Sequence, residues 1–239
     1  MIAILGASGY VGKGLARVLA ERDRGPIHLF TRQPDRLAGD SWPTHVVCCA
    51  LESFDARGFD LVINAIGAGD PARVSAIGED ILDITREWDE RVLKSLRPGK
   101  PLYAYISSGV VYSAVGATDD DPSPSRLENS SPYLNAKLQT ESRHRSLPDL
   151  AILDIRMFSF ADAGIDVAGS FFLAQLCKSI VSGGAFRTSR SDIIRDYAGA
   201  RELCDLIDCW RLAGAQNRAV DLYTRAPVSK HTILKNAIS

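Results

Sequence analysis

Apolar residues along this chain gather in short runs, separated by polar stretches about as long as a helix. Ile2-Ala3-Ile4-Leu5 is the first run and stops at Gly6, the pattern of a buried parallel strand. Between Gly12 and Arg22, Leu15, Val18 and Leu19 share one helical face. Residues 27–31, 45–49 and 61–65 read as three more strands, the last preceded by the turn-like Gly58-Phe59-Asp60. Over 80–96, Ile81, Ile84, Trp88, Val92 and Leu96 recur at helical spacing, and 102–107 is a further strand. Ser131 suits a helix N-cap and Pro132 a first helical position, which predicts a helix from Pro132 to about Ser146. A strand over 150–157 follows. Beyond Phe158 the pattern loosens: helices at 171–181 and 201–212, a short extended piece at 193–194, and a late strand at 220–223.

Strands alternating with helices predict an α/β protein on an open, doubly wound parallel sheet. We divide it into a main domain over 1–157 and a small lobe over 158–239 that interleaves with late elements of the main domain. No repeat or low-complexity linker splits the chain, so it reads as one folding unit.

Composition narrows the picture. With 239 residues, 46% of them hydrophobic, the chain can bury one large core. Its 28 basic residues against 29 acidic ones, without a basic run, give no ground for nucleic acid or an anionic membrane as partner. The opening apolar run is too short for a secretory signal. No stretch reaches the roughly 18 apolar residues of a membrane span. A cytoplasmic, soluble protein is the expectation. Cys48, Cys49, Cys177, Cys204 and Cys209 lack CxxC spacing, and most read as buried reduced thiols. His28, His45, His144 and His231 are scattered without metal-ligand spacing, so no metal is expected and each is read as a surface or strand-edge residue. The polar stretch Asp119–Pro124 is expected to be an exposed loop.

The first strand runs into Gly6-Ala7-Ser8-Gly9-Tyr10-Val11-Gly12 and then a helix. Glycines there allow a tight turn, admit a pyrophosphate against bare amides and let the helix pack close to the sheet. The helix N-terminus adds partial positive charge. Gly6, Ser8, Gly9, Tyr10, Val11 and Gly12 are therefore candidate dinucleotide-binding residues. The second strand ends Thr31-Arg32, where an acid would bind the adenosine ribose hydroxyls. An arginine there can pair with a 2′-phosphate, so Thr31 and Arg32 favour NADP over NAD as cofactor. The alternative is that Arg32 is a solvated loop charge.

Tyr133 and Lys137 lie four apart on the predicted helix and share a face, and Ser107-Ser108 ends a sheet strand, where ligands bind in this architecture. Together they suit hydride transfer at a carbon bearing oxygen. Tyr133 moves the proton, Lys137 supplies a positive charge that favours the phenolate and holds the nicotinamide ribose, and Ser108 hydrogen-bonds the substrate oxygen. Against this stands a packing role for Tyr133 and a strand-end cap at Ser108.

These motifs resemble the extended short-chain dehydrogenase/reductase family of epimerases, dehydratases and ketoreductases acting on nucleotide sugars. The likeness runs through 6–12, Asn-Ala-Ile-Gly at 64–67, Ser-Ser-Gly-Val-Val-Tyr at 107–112, Tyr-Leu-Asn-Ala-Lys at 133–137, Ile155-Arg156-Met157-Phe158 and Arg195-Asp196-Tyr197. It implies a Rossmann-like fold and catalytic Ser108, Tyr133 and Lys137. It also implies Ala65, Ile66, Gly67 and Ser107 beside the cofactor, and a homodimer through helices flanking the sheet, the Tyr133 helix among them. Ser108, Ser159 and Arg195 are the implied substrate contacts. Arg195 reaches a substrate diphosphate, unless an ion pair with Asp196 or Asp192 holds it. The chain departs from the pattern in three places. Gly109 and Val110 stand where dehydratases carry Asp-Glu, Ser159 replaces an asparagine, and the sequence stops at Ser239, where members typically continue.

The leading expectation is an NADP-dependent ketoreductase, its substrate class a nucleotide-linked keto-sugar. The alternatives are a nucleotide-sugar epimerase with tightly bound NAD and a non-catalytic dinucleotide-binding regulatory protein.

Overall fold

In the computed structural model, which describes residues 1–22, 25–67, 70–113 and 131–238, seven parallel strands form one sheet. They are β1 (Ile2–Leu5), β2 (Ile27–Thr31), β3 (Val46–Ala50), β4 (Leu61–Asn64), β5 (Leu102–Ser108), β6 (Ile152–Met157) and β8 (Arg218–Leu222). Their order is β3-β2-β1-β4-β5-β6-β8, so the winding reverses between β1 and β4 and opens a crevice at their carboxyl ends. The Asp119–Pro124 stretch lies outside the described residues.

Both sheet faces are covered, which is why β1, β2 and β4 read as continuous apolar runs. Ile4, Leu29, Ile63 and Ile155 pack on one side against Leu15 of α1 (Tyr10–Arg22) and Leu203 and Ile207 of α7 (Ala200–Leu212). Leu5, Phe30, Val62, Tyr103 and Tyr105 pack on the other against Trp88 and Val92 of α4 (Asp80–Leu93). Helix α5 (Pro132–Arg145) begins as its sequence dictates, with Ser131 Oγ accepting from Leu134 N at 3.2 Å and Pro132 in the first turn. Past β6 come α6 (Phe172–Ser182), a two-stranded antiparallel piece of β7 (Ile194–Arg195) with β9 (Val228–Ser229), and α8 (Lys230–Ile238). From this half of the chain, α7 packs on α1 and β8 pairs with β6.

Sequence pattern did not reveal α2 (Asp35–Ala38), α3 (Pro71–Ile77), β9 or α8. The first two are too short for a periodic signal, and the last two lie where the apolar spacing is irregular. Two expectations are corrected. His144 is fully buried, because Asp89 and Asp154 satisfy its ring nitrogens inside the protein. Among the thiols only Cys204 is buried; Cys48 and Cys209 are exposed, Cys49 and Cys177 intermediate. No helix among the described residues is long and apolar enough to cross a membrane.

Candidate active site

The crevice at the carboxyl ends of β1, β2 and β4 holds a cleft of about 210 Å³. Gly6, Ser8 and Gly9 line it together with Ala65, Ile66 and Gly67, and Leu51, Ile84 and Trp88 add apolar surface. The glycine loop has no room for side chains. A Cβ on Gly6 (φ +73°) would sit 2.9 Å from the Ala65 carbonyl oxygen, and one on Gly12 only 2.4 Å from the Gly6 oxygen. Close backbone approach and the free first amides of α1 suit a pyrophosphate. The cleft therefore fits the dinucleotide that the sequence implies.

The candidate residues enter this cleft differently. Tyr10 directs its side chain toward the second half of the chain, its hydroxyl donating to the Asp162 carbonyl at 3.0 Å and accepting from Asp162 N at 2.7 Å. Val11 packs on the core. What these two offer a ligand is backbone N–H. Ser8 and Thr31 hydroxyls meet at 2.6 Å, tying the glycine loop to the end of β2. Arg32 lines the cleft with Gln33, Arg36 and Arg73, and among the described residues none that lines it is acidic. Among the described residues none of these three arginines is ion-paired. Sequence reasoning singled out neither Arg36 nor Arg73: Arg36 comes from α2 and Arg73 from α3, both too short for a periodic signal.

Beside the cleft, β5 delivers Ser108 and α5 delivers Tyr133 and Lys137. Ser108 Oγ accepts from Val110 N at 3.2 Å, and the Ser108 side chain is near enough to the Tyr133 phenol to lower its pKa. Burial pushes the Tyr133 pKa up and Ser108 pulls it down; burial dominates. Lys137 is buried, its Nζ donating to Ile106 O at 2.7 Å and to the Tyr105 hydroxyl at 3.0 Å, and standing 5.6 Å from the Tyr133 ring centroid. Burial lowers its pKa to about 8, against the attraction of Glu141, Asp154 and Asp89. Here the Lys137 ammonium is hydrogen-bonded to Tyr105 and Ile106 rather than to the Tyr133 phenol, and Tyr133, its pKa raised by burial, holds its proton at neutral pH. A Cβ on Gly67 would lie 3.8 Å from Lys137 Nζ, so the dinucleotide cleft and this group of side chains adjoin.

Other candidates do not join them. The Ser107 hydroxyl is committed to buried Glu141, which also pairs with Arg156 at 2.7 Å. Ser159 takes part through its carbonyl, which accepts from Ala198 N at 3.1 Å. Arg195 is exposed on β7, and no ion pair among the described residues holds it. Asp196 instead accepts from Thr224 N, and Asp192 from His231 N.

The model of the NAD dependent epimerase/dehydratase family matches residues 2–156. The chain belongs to this family. It is an enzyme family, and the short-chain dehydrogenase/reductase resemblance is thereby shown. No curated protein matches the chain in sequence. Among solved structures, the Bordetella bronchiseptica enzyme WbmF in complex with NAD+ and UDP superposes with a TM-score of 0.75 at 14% identity, over 99% of this chain and 76% of that one. TunA, an NAD-dependent NDP-hexosamine 5,6-dehydratase of tunicamycin biosynthesis, gives 0.74 at 16% identity over 98% and 78%. The UDP-glucose 4-epimerase of Bifidobacterium longum with NAD+ and UDP gives 0.68 at 16% over 98% and 81%. At such identity the likeness is one of fold, and it bears out the Rossmann-like architecture.

Proposed function

We propose that this family member is an NADP-preferring ketoreductase, with Tyr133 as the acid/base and a nucleotide-linked keto-sugar as the substrate class. The observation that carries it is the adjoining of two parts: a glycine-walled cleft rimmed by Arg32, Arg36 and Arg73, and the Ser108/Tyr133/Lys137 group. A bound nicotinamide dinucleotide would supply the hydride. The glycine loop and Ala65-Ile66-Gly67 would hold its body, and the three arginines a 2′-phosphate that no lining carboxylate repels. Tyr133, protonated at neutral pH, is suited to give its proton to a carbonyl oxygen as charge develops there. Ser108 donates a second hydrogen bond to that oxygen, and Lys137, cationic below about pH 8, stabilises the phenolate left behind. Gly109 and Val110 provide no acid or base for elimination, which argues against dehydration. Nucleotide-sugar enzymes among the structural neighbours support the substrate class.

The epimerase reading, with NAD retained through turnover, draws on neighbours solved with NAD+. Native mass spectrometry before and after dialysis, then with NADPH or NADH, separates the readings. The reductase is expected to emerge empty and take up NADPH reversibly. A dinucleotide of NAD mass surviving dialysis would favour the epimerase, and failure to bind either cofactor would overturn both. Tyr133→Phe is expected to keep NADPH uptake while lowering reduction of keto-sugar nucleotides at least 100-fold, the usual reach of acid/base catalysis. Unchanged turnover in a stopped assay would remove Tyr133 from the mechanism.

A further inference from the structure

Beneath Lys137, on the side away from the cleft, lies a buried ionic cluster that the proposed reaction does not use. His144 on α5 is fully buried between two fully buried carboxylates. Its Nδ1 stands 2.6 Å from Asp154 Oδ1 of β6, and its Nε2 stands 2.7 Å from Asp89 Oδ1 of α4. A neutral imidazole carries one N–H, so its other nitrogen would set a lone pair against a carboxylate oxygen at contact distance. Two such contacts call for two N–H donors. The remaining carboxylate oxygens are taken by Arg143, on Asp89 at 2.6 Å, and Arg145, on Asp154 at 2.6 Å. From β5 the Tyr103 hydroxyl also donates to Asp89, at 2.9 Å. Consistently, the two aspartates raise the His144 pKa to about 9 in spite of its burial.

Tyr105 of β5 joins this cluster to the candidate active site. Its ring meets the His144 ring edge-on at 5.5 Å, while its hydroxyl accepts from Lys137 Nζ at 3.0 Å. Among the described residues no carboxylate is in contact with Lys137. Its charge is supported from a distance by Glu141, Asp154 and Asp89.

We propose that His144, held as an imidazolium between Asp89 and Asp154, is a positioning residue for Lys137. Through Tyr105 it fixes the place of the lysine, and the charges of His144, Asp154 and Asp89, beside that of Glu141, shift the pH above which the ammonium is lost. The inference rests on Lys137 being the ammonium of the candidate site. Its signature is a pair of opposite effects. Replacing His144 by Gln removes a positive charge and stabilises the ammonium; replacing Asp89 by Asn removes a negative charge and destabilises it.

The experiment is NADPH fluorescence titration from pH 6 to 10 on the wild type, His144→Gln, Asp89→Asn and Lys137→Met, with NMR of the His144 ring in the wild type. The wild type is expected to lose NADPH affinity at alkaline pH. The midpoint should rise in His144→Gln and fall in Asp89→Asn, each by on the order of half a pH unit to one. Equal losses at every pH, or shifts of the same sign, would show a packing role only and overturn the proposal. The ring is expected to remain imidazolium through pH 8. Titration near the ordinary 6.5 would overturn this inference alone, even if no variant folds. An alkaline limb that survives Lys137→Met overturns instead the reading of Lys137 on which it rests.

Discussion

At Gly12 a methyl group would meet the Gly6 carbonyl oxygen at 2.4 Å, and backbone cannot yield there as a side chain could. Gly12→Ala is expected to cost about 1–3 kcal/mol of stability, read from a shifted urea midpoint, and to weaken dinucleotide uptake. Arg73, which lines the cleft from α3, tests the cofactor preference. Losing one charge-assisted contact to a 2′-phosphate costs about 1.5–3 kcal/mol, so Arg73→Ala should weaken NADPH binding roughly tenfold or more and leave NADH nearly unchanged. Equal losses for both cofactors in a calorimetric titration would remove the arginine from 2′-phosphate recognition. The glycines, Arg32, Ser108, Tyr133 and Lys137 were legible as candidates because their meaning is local: a turn after a strand, a strand end, two side chains one helical turn apart. Arg73, Ile84 and Trp88 were not. Their place on the cleft depends on how α3 and α4 pack, and nothing in their neighbouring residues records it.

Among the elements, α5 carries both Tyr133 and Lys137, and its start is set by Ser131. Ser131→Ala removes the acceptor for Leu134 N and is expected to cost about 1 kcal/mol, seen as a lower melting temperature. An unchanged melting temperature would show that packing of α5 against α4 alone holds the helix end. Sequence placed the start of this helix at Pro132 because cap and proline agree, and its end within a residue of the observed one. It missed α2 and α3, whose 4 and 7 residues are too few for periodicity to appear. The resemblance puts Ser107 beside the cofactor; alternate residues of a strand point to opposite faces, and its hydroxyl goes to Glu141, which leaves its backbone for such a contact.

For the molecule as a whole, the buried charges predict how stability follows pH. His144 has a folded pKa of about 9, above its unfolded value near 6.5, so its contribution is fully present below pH 6.5 and is lost as pH rises through 9. Lys137 acts in the opposite sense. With a folded pKa near 8 and an unfolded one near 10.5, it makes stability rise with pH between those values. Urea unfolding is therefore expected to show stability falling from pH 6.5 to 8, levelling between 8 and 9 and rising from there toward 10.5, and a flat profile over 6.5–8 would contradict the ionised cluster. By itself the sequence determined the alternation of strands and helices, the glycine turn and the spacing of Ser108, Tyr133 and Lys137, because apolar periodicity and caps act over a few residues. Only the tertiary structure decided the strand order, the approach of Gly67 to Lys137 and the burial of His144. A histidine is kept inside by what meets it, and its partners Asp154 and Asp89 lie 10 and 55 residues away, beyond the reach of any local pattern.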